Sequence, residues 1–208
     1  PLSHILGFNL VENIPVDYMH VGPEGIVKRM MNCWFKKSNH TKAYYLGSKL
    51  KSLDSELLKQ KPPHDFSRAP RSIQKHMMYW KASEFRAWLL YYSLPLLLHI
   101  LPPLFYHHYA LIVCAFHLLL QDNLRPCDID VAEEMLKDFC ALLPELYGEE
   151  HCTINAHLLL HLTYYVRMWG PLWTHSAFGC ENKNGIIKTL SHSKYKILNQ
   201  IIFNIEVQ

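Results

Sequence analysis

Apolar side chains recur at three- and four-residue intervals along most of this chain, a spacing that lays them on one face of a helix. Ile26, Val27, Met30, Met31, Trp34 and Phe35 predict a helix from about Glu24 to Lys36, started by the turn at Gly22-Pro23 and ended by the polar run Lys37 to Thr41. The same period marks Leu50 to Gln60, then a helix opened by Ser72 that carries Trp80, Phe85, Trp88 and Leu89. It returns in Leu104 to Leu120 and in Asp130 to Leu143, where Val131, Met135, Leu136, Phe139 and Leu142 share one face. Asn155 to Met168 reads as one helix stopped by Gly170-Pro171, and two further helices are expected from Ala177 and from Lys194 to Ile205. Only Asn9 to Val16, rich in Val and Ile, reads as a strand, and it ends at Asp17. The proline-rich, basic segment Lys61 to Arg71 reads as an extended surface linker.

At 208 residues, half of them hydrophobic (50%), the chain suits one domain of ordinary size or one domain plus part of another. Ala87 to Phe105 is 19 residues without a formal charge, long enough to raise a membrane span. Pro95, Pro102 and Pro103 argue instead for buried helices broken at prolines, since each removes a backbone donor. The first ten residues lack the length and basic flank of a signal peptide. The six cysteines include no Cys-x-x-Cys pair, so the expectation is reduced thiols in an intracellular compartment.

The formal net charge of +3 hides an asymmetry. Ile26 to Arg86 holds 14 Lys or Arg against 4 Asp or Glu, whereas Asp122 to Glu150 holds 9 acids against Arg125 and Lys137. A basic stretch of this size is the footprint of phosphate-backbone contact, or else one of two solvated faces of opposite sign that meet each other.

Phosphate-loop, dinucleotide-binding and nucleophile-elbow glycine motifs are all absent, which disfavours P-loop hydrolysis, nicotinamide chemistry and serine hydrolysis. His157 and His161 have metal-ligand spacing, but Leu158, Leu159 and Leu160 stand where a zinc protease needs its glutamate, so they read as structural histidines. Asp17-Tyr18-Met19-His20 reads either as a helix cap or as part of a metal site split from Glu181 by a long helical stretch.

Taken in order, Asp17-Tyr18-Met19-His20, Pro70-Arg71-Ser72-Ile73, Trp80-Lys81-Ala82-Ser83-Glu84-Phe85-Arg86, Glu145-Leu146-Tyr147-Gly148, Asn155-Ala156-His157-Leu158-Leu159-Leu160-His161-Leu162, Gly170-Pro171-Leu172-Trp173 and Ser176-Ala177-Phe178 with Glu181-Asn182 resemble the transposases of eukaryotic CACTA (En/Spm-like) DNA transposons. The resemblance runs from about Ile14 to His192 and rests on the order of the strings, not on any one of them. It departs from the family's pattern at Val21 to Gly25 and at Gly179-Cys180.

The resemblance implies a mainly α chain that is part of an RNase H-like α/β core interrupted by a large all-helical insertion. Residues 1–21 would be core strand and Asp-x-x-His motif, 22–175 the insertion, and 176–208 the core's C-terminal helices. It further implies DNA strand cleavage and transfer by two magnesium (or manganese) ions in the intact core, with Asp17 and Glu181 as metal ligands and His20 orienting Asp17 or a phosphate. At least one more acid, on a strand preceding Pro1, is expected to complete that site. Arg68, Arg71, Lys75, Lys81 and Arg86 would contact the duplex DNA of transposon ends in the nucleus, with homo-oligomers compatible and no membrane. The alternative is a non-catalytic or decayed helical module, domesticated for DNA or protein binding.

Overall fold

The structure is a computed structural model that describes residues 5–7, 9, 12–63, 68–190 and 195–206. The chain forms two compact units, Pro1–His175 and Ser176–Gln208. No strand occurs among the described residues, so the chain is mainly α, and the RNase H-like core has no strand here to support it.

The expected strand at Asn9 to Val16 is the clearest correction. At its described positions the backbone turns back on itself: the Asn13 N–H donates to the Asn9 carbonyl at 2.8 Å, and the Asn9 N–H donates to the Asn13 side chain at 2.6 Å. Asparagine side chains compete for backbone groups in this way, and Pro15 has no N–H to give a ladder. Residues 10 and 11 lie outside the described residues, as do His64 to Ser67 of the expected linker and Lys194 at the start of the last expected helix.

The first unit begins with α1 (Tyr18–Val21), which runs through a π-helical segment (Gly22–Val27) into α2 (Lys28–Phe35). The wide turn coincides with Pro23, which cannot donate to the ladder. It also seats Gly22 on the Phe116 ring, where a Cβ would stand 2.6 Å from Cζ. Gly22 thus lies at a close helix crossing. α3 (Leu50–Lys59) sends Asp54 to the start of α4 (Ile73–His76), where it accepts the Ile73 N–H at 2.6 Å and the Ser72 hydroxyl. Ser72 caps α4 as expected, accepting the Lys75 N–H at 3.1 Å.

The uncharged stretch folds as α5 (Ala82–Ala87), a second π-helical segment (Trp88–Tyr92) and α6 (Ser93–Leu97), ahead of α7 (Pro103–Leu119). No helix of the described residues is long and apolar enough to cross a membrane. α7 and α8 (Pro126–Tyr147) pair into the main hairpin, and their facing rows make the core: Phe105, Tyr109, Ile112 and Phe116 against Ile129, Leu136, Phe139 and Tyr147. Each such large side chain contributes about 1.5–3 kcal/mol by leaving water. Around them Trp34 meets Tyr109 edge-on at 4.8 Å and donates to the Tyr147 hydroxyl at 3.2 Å. The face expected on α8 is corrected in part, because Leu136 and Phe139 are buried but Val131 and Leu142 face solvent.

The single helix expected over Asn155 to Met168 is two, α9 (Ile154–Leu159) and α10 (Leu162–Trp169). α9 packs on the π-helical segment after α1, while α10 packs on α8, so the chain bends between two partners. Gly170, at φ 85°, ends α10 in a conformation that side chains resist, and Pro171 follows. The second unit contains α11 (Ala177–Thr189), capped by the Ser176 hydroxyl on the Phe178 N–H at 3.2 Å, and α12 (Ile197–Glu206).

Candidate functional site

Asp17 stands at the N-cap of α1 with extended backbone, and its Oδ2 accepts the His20 backbone N–H at 3.1 Å. The same oxygen lies 2.6 Å from His20 Nδ1, so the imidazole and the carboxylate are locked as an i,i+3 pair whose ring faces solvent. His175, at the end of the 3₁₀ turn Leu172–His175, sits within reach of this charge. Burial pushes its pKa down, and the Gly170 carbonyl and the Asp17 carboxylate only partly oppose that. Glu181 lies in the middle of α11, exposed, in the second unit.

The donors around Asp17 do not fit a magnesium ion. That hard cation takes carboxylate, carbonyl and water oxygens, whereas this acid is flanked by imidazoles. Among the described residues no three His, Cys, Asp or Glu gather to hold any metal. Asp17 and His20 are therefore a built cap and hydrogen-bonded pair, and two-metal chemistry would need carboxylates that this cluster does not supply.

The cations expected to meet DNA serve different ends. Arg71 is committed to the fold: its Nε and one terminal nitrogen donate to the two Glu84 oxygens at 2.5 Å each, and the Tyr79 carbonyl accepts at 2.8 Å. Arg68, Lys75 and Lys81 are exposed. Arg86 is half-buried on an open cleft with His117, Gln121, Asp122 and Trp173.

A second, open cleft of about 500 Å³ lies along α2, lined among others by Glu24, Lys28, Arg29, Asn32, Lys36, Asn39, His151 and Asn155. Arg29 reaches over it to the Glu150 carbonyl at 2.5 Å, yet its Nε is buried without a hydrogen bond. Asn32 donates to the Lys28 carbonyl at 2.8 Å, which fixes the amide and leaves its Oδ1 buried and unbonded as well. On the cleft wall Cys33 Sγ lies 3.5 Å from His151 Nδ1. Burial pushes the Cys33 thiol up to about 12, Arg29 and Lys36 opposing it only in part, and burial with Arg29 pushes His151 down. Both groups are thus held neutral at pH 7, which removes the thiolate that a nucleophilic dyad requires.

No family model matches this chain, and no curated protein or solved structure matches it either. Function therefore rests on the geometry. Sequence reasoning missed the cleft because His151 and Cys33 are 118 positions apart, and their meeting carries no local signature. The one available signal was compositional: Lys28, Arg29 and Lys36 open the basic stretch, the first two on α2 and the third at its C-cap.

Proposed function

We propose that this chain is a helical, DNA-binding module of the CACTA transposase kind, holding the duplex through its phosphates. The observation that carries the reading is the α2 cleft, where three cations face one acid and Arg29 keeps a buried Nε donor without an acceptor. A buried donor left unpaired costs about 1–3 kcal/mol, and a phosphate oxygen seated there would remove that penalty. Lys75 and Lys81, exposed elsewhere on the same unit, extend the positive surface.

On this reading Asp17 serves as the helix cap and partner of His20, and any magnesium chemistry of the intact enzyme would rest on carboxylates outside this cluster. No step of strand cleavage is assigned to the described residues. The ordered motifs from Asp17 to Asn182 support the family, and the hydrogen-bonded, capping Asp17 supports a fixed acid at that position.

The test is duplex binding as a function of salt. Each phosphate contact contributes a slope of about −0.9 in log affinity against log salt, so Lys28→Gln with Lys36→Gln should flatten the slope by about 2 units. An unchanged slope in a folded double variant, or no salt-dependent binding by the wild type, rejects the proposal.

A further inference from the structure

His157 and His161 lie outside the core. Both rings are exposed, at the bend where α9 ends and α10 begins, and two tight turns close that bend: the Leu160 N–H to the His157 carbonyl and the His161 N–H to the Leu158 carbonyl, each at 3.1 Å. The turn brings the two Nε2 atoms to 3.2 Å, with ring centroids 4.9 Å apart and planes at 72°.

That separation is a chelate bite. With metal–imidazole bonds of about 2.0–2.1 Å, two nitrogens on one ion stand roughly 2.9 Å apart at a right angle and roughly 3.4 Å apart at the tetrahedral angle. The observed 3.2 Å falls between those limits, so both nitrogens reach one ion once the rings turn their Nε2 lone pairs toward it. We propose that His157 and His161 together bind one borderline transition-metal dication, of the zinc, nickel or copper class, through their Nε2 atoms. Imidazole suits these ions, whereas magnesium and calcium prefer oxygen.

The protonation works without loss of a charged group. In the metal-free pair one Nε2–H donates to the other Nε2; on binding, that proton moves through solvent to its own ring's Nδ1, and both neutral rings present lone pairs. No third His, Cys, Asp or Glu joins them among the described residues, so water or a donor from another molecule fills the remaining positions. The site is accordingly an open, exchangeable one, separate from Asp17 and independent of the DNA-binding proposal.

The experiment is calorimetric titration of the reduced chain with nickel chloride alone, on the wild type and on His157→Gln, His161→Gln and, as a control at another exposed histidine, His40→Gln. The expected result is one tightest equivalent of nickel, weakened at least tenfold by either of the first two changes and untouched by the third. A second readout is the melting temperature, which should rise with nickel in the wild type and not in His157→Gln, because a ligand that binds only the folded state stabilises it. Metal-free melting of the variants, unchanged from wild type, separates a ligand role from a structural one. A nickel isotherm that survives His157→Gln and His161→Gln, the lack of a tight equivalent in the wild type, or variants that melt early without metal would each overturn the assignment.

Discussion

The Arg71–Glu84 pair separates a fold-holding role for Arg71 from a DNA-binding one. Glu84 Cδ oxygens are almost fully enclosed, with 6% of the side chain exposed, and they accept two bonds from Arg71 at 2.5 Å and the Lys81 N–H at 2.8 Å. Burial alone would raise the Glu84 pKa, but these bonds outweigh it and hold the carboxyl below its usual range. Glu84→Gln keeps the shape and one acceptor and removes the charge. Breaking a buried pair from one side costs about 3–5 kcal/mol when the survivor is stranded. Arg71 is 34% exposed and regains some water, which brings the expectation to about 2–3 kcal/mol. For a chain of this length that lowers the melting temperature by roughly 5–10 °C. Arg71→Gln should fall by a similar amount, and the double variant should lose less than the two singles added together, since they remove one interaction. At a temperature where all are folded, Arg71→Gln should leave duplex affinity within about twofold, because its guanidinium is already engaged. Shifts under 2 °C in both singles, or strict additivity in the double, would refute this account.

Two other groups of residues give sharp expectations. His108 is buried, stacks on Phe139 at 4.3 Å and donates Nε2–H to the Phe139 carbonyl at 2.9 Å, leaving Nδ1 buried and unpaired. Burial pushes the pKa of His108, His151 and His175 below the usual value, so the unfolded chain binds protons that the folded one refuses. Stability is then full above about pH 6.5 and falls as pH drops from there toward the folded values. Urea midpoints at pH 7.5 and 5.5 should differ, less so in His108→Gln, and equal wild-type midpoints would count against it. Among the cysteines, burial pushes Cys33 and Cys140 up to about 12, whereas Cys114, Cys127, Cys152 and Cys180 are exposed. Iodoacetamide on the native chain at pH 8 should label those four at least tenfold faster, and Cys33 reacting as fast as Cys180 would restore it as a nucleophile.

The helices were legible where local spacing and tertiary demand agree. α2, α7 and α8 each present an apolar stripe to the same core, and several helix ends carry caps or prolines that the sequence displays: Ser72 at α4, Pro103 at α7, Pro126 at α8 and Gly170 after α10. What the sequence hid was decided by partners far along the chain. Nothing between Leu158 and His161 breaks a helix, yet α9 and α10 part there, where α9 packs on α1 and the π-helical segment as well as on the α8 that α10 also meets. Val and Ile at Asn9 to Val16 imitate a strand, but two asparagines four apart satisfy each other's backbone first. At the candidate site, Asp17 and His20 were legible as a cap because their partners are local. The α2 cleft was not, since it needs Arg29 and Asn32 beside His151 and Asn155.

The charge asymmetry left two readings open, a phosphate-binding surface or opposite faces that neutralise each other, and the ion pairs decide how far the second can go. Part of the acidic stretch is balanced from within or from α10: Lys137 reaches Glu133 and Glu134 at 2.9 Å, and Arg167 reaches Asp130 and Glu133 at 2.7 Å. Arg125 folds back onto Asp128. Lys137, Arg167 and Arg125 all lie outside Ile26 to Arg86. Where the two stretches meet at the α2 cleft, Arg29 donates to the backbone carbonyl of Glu150 and not to its carboxylate. On the proposed reading, the field of Lys28, Arg29 and Lys36 attracts an anion from solution. A polyanion that presents one phosphate after another suits it better than a small ion, because exposed lysines contribute through counterion release and gain with each contact.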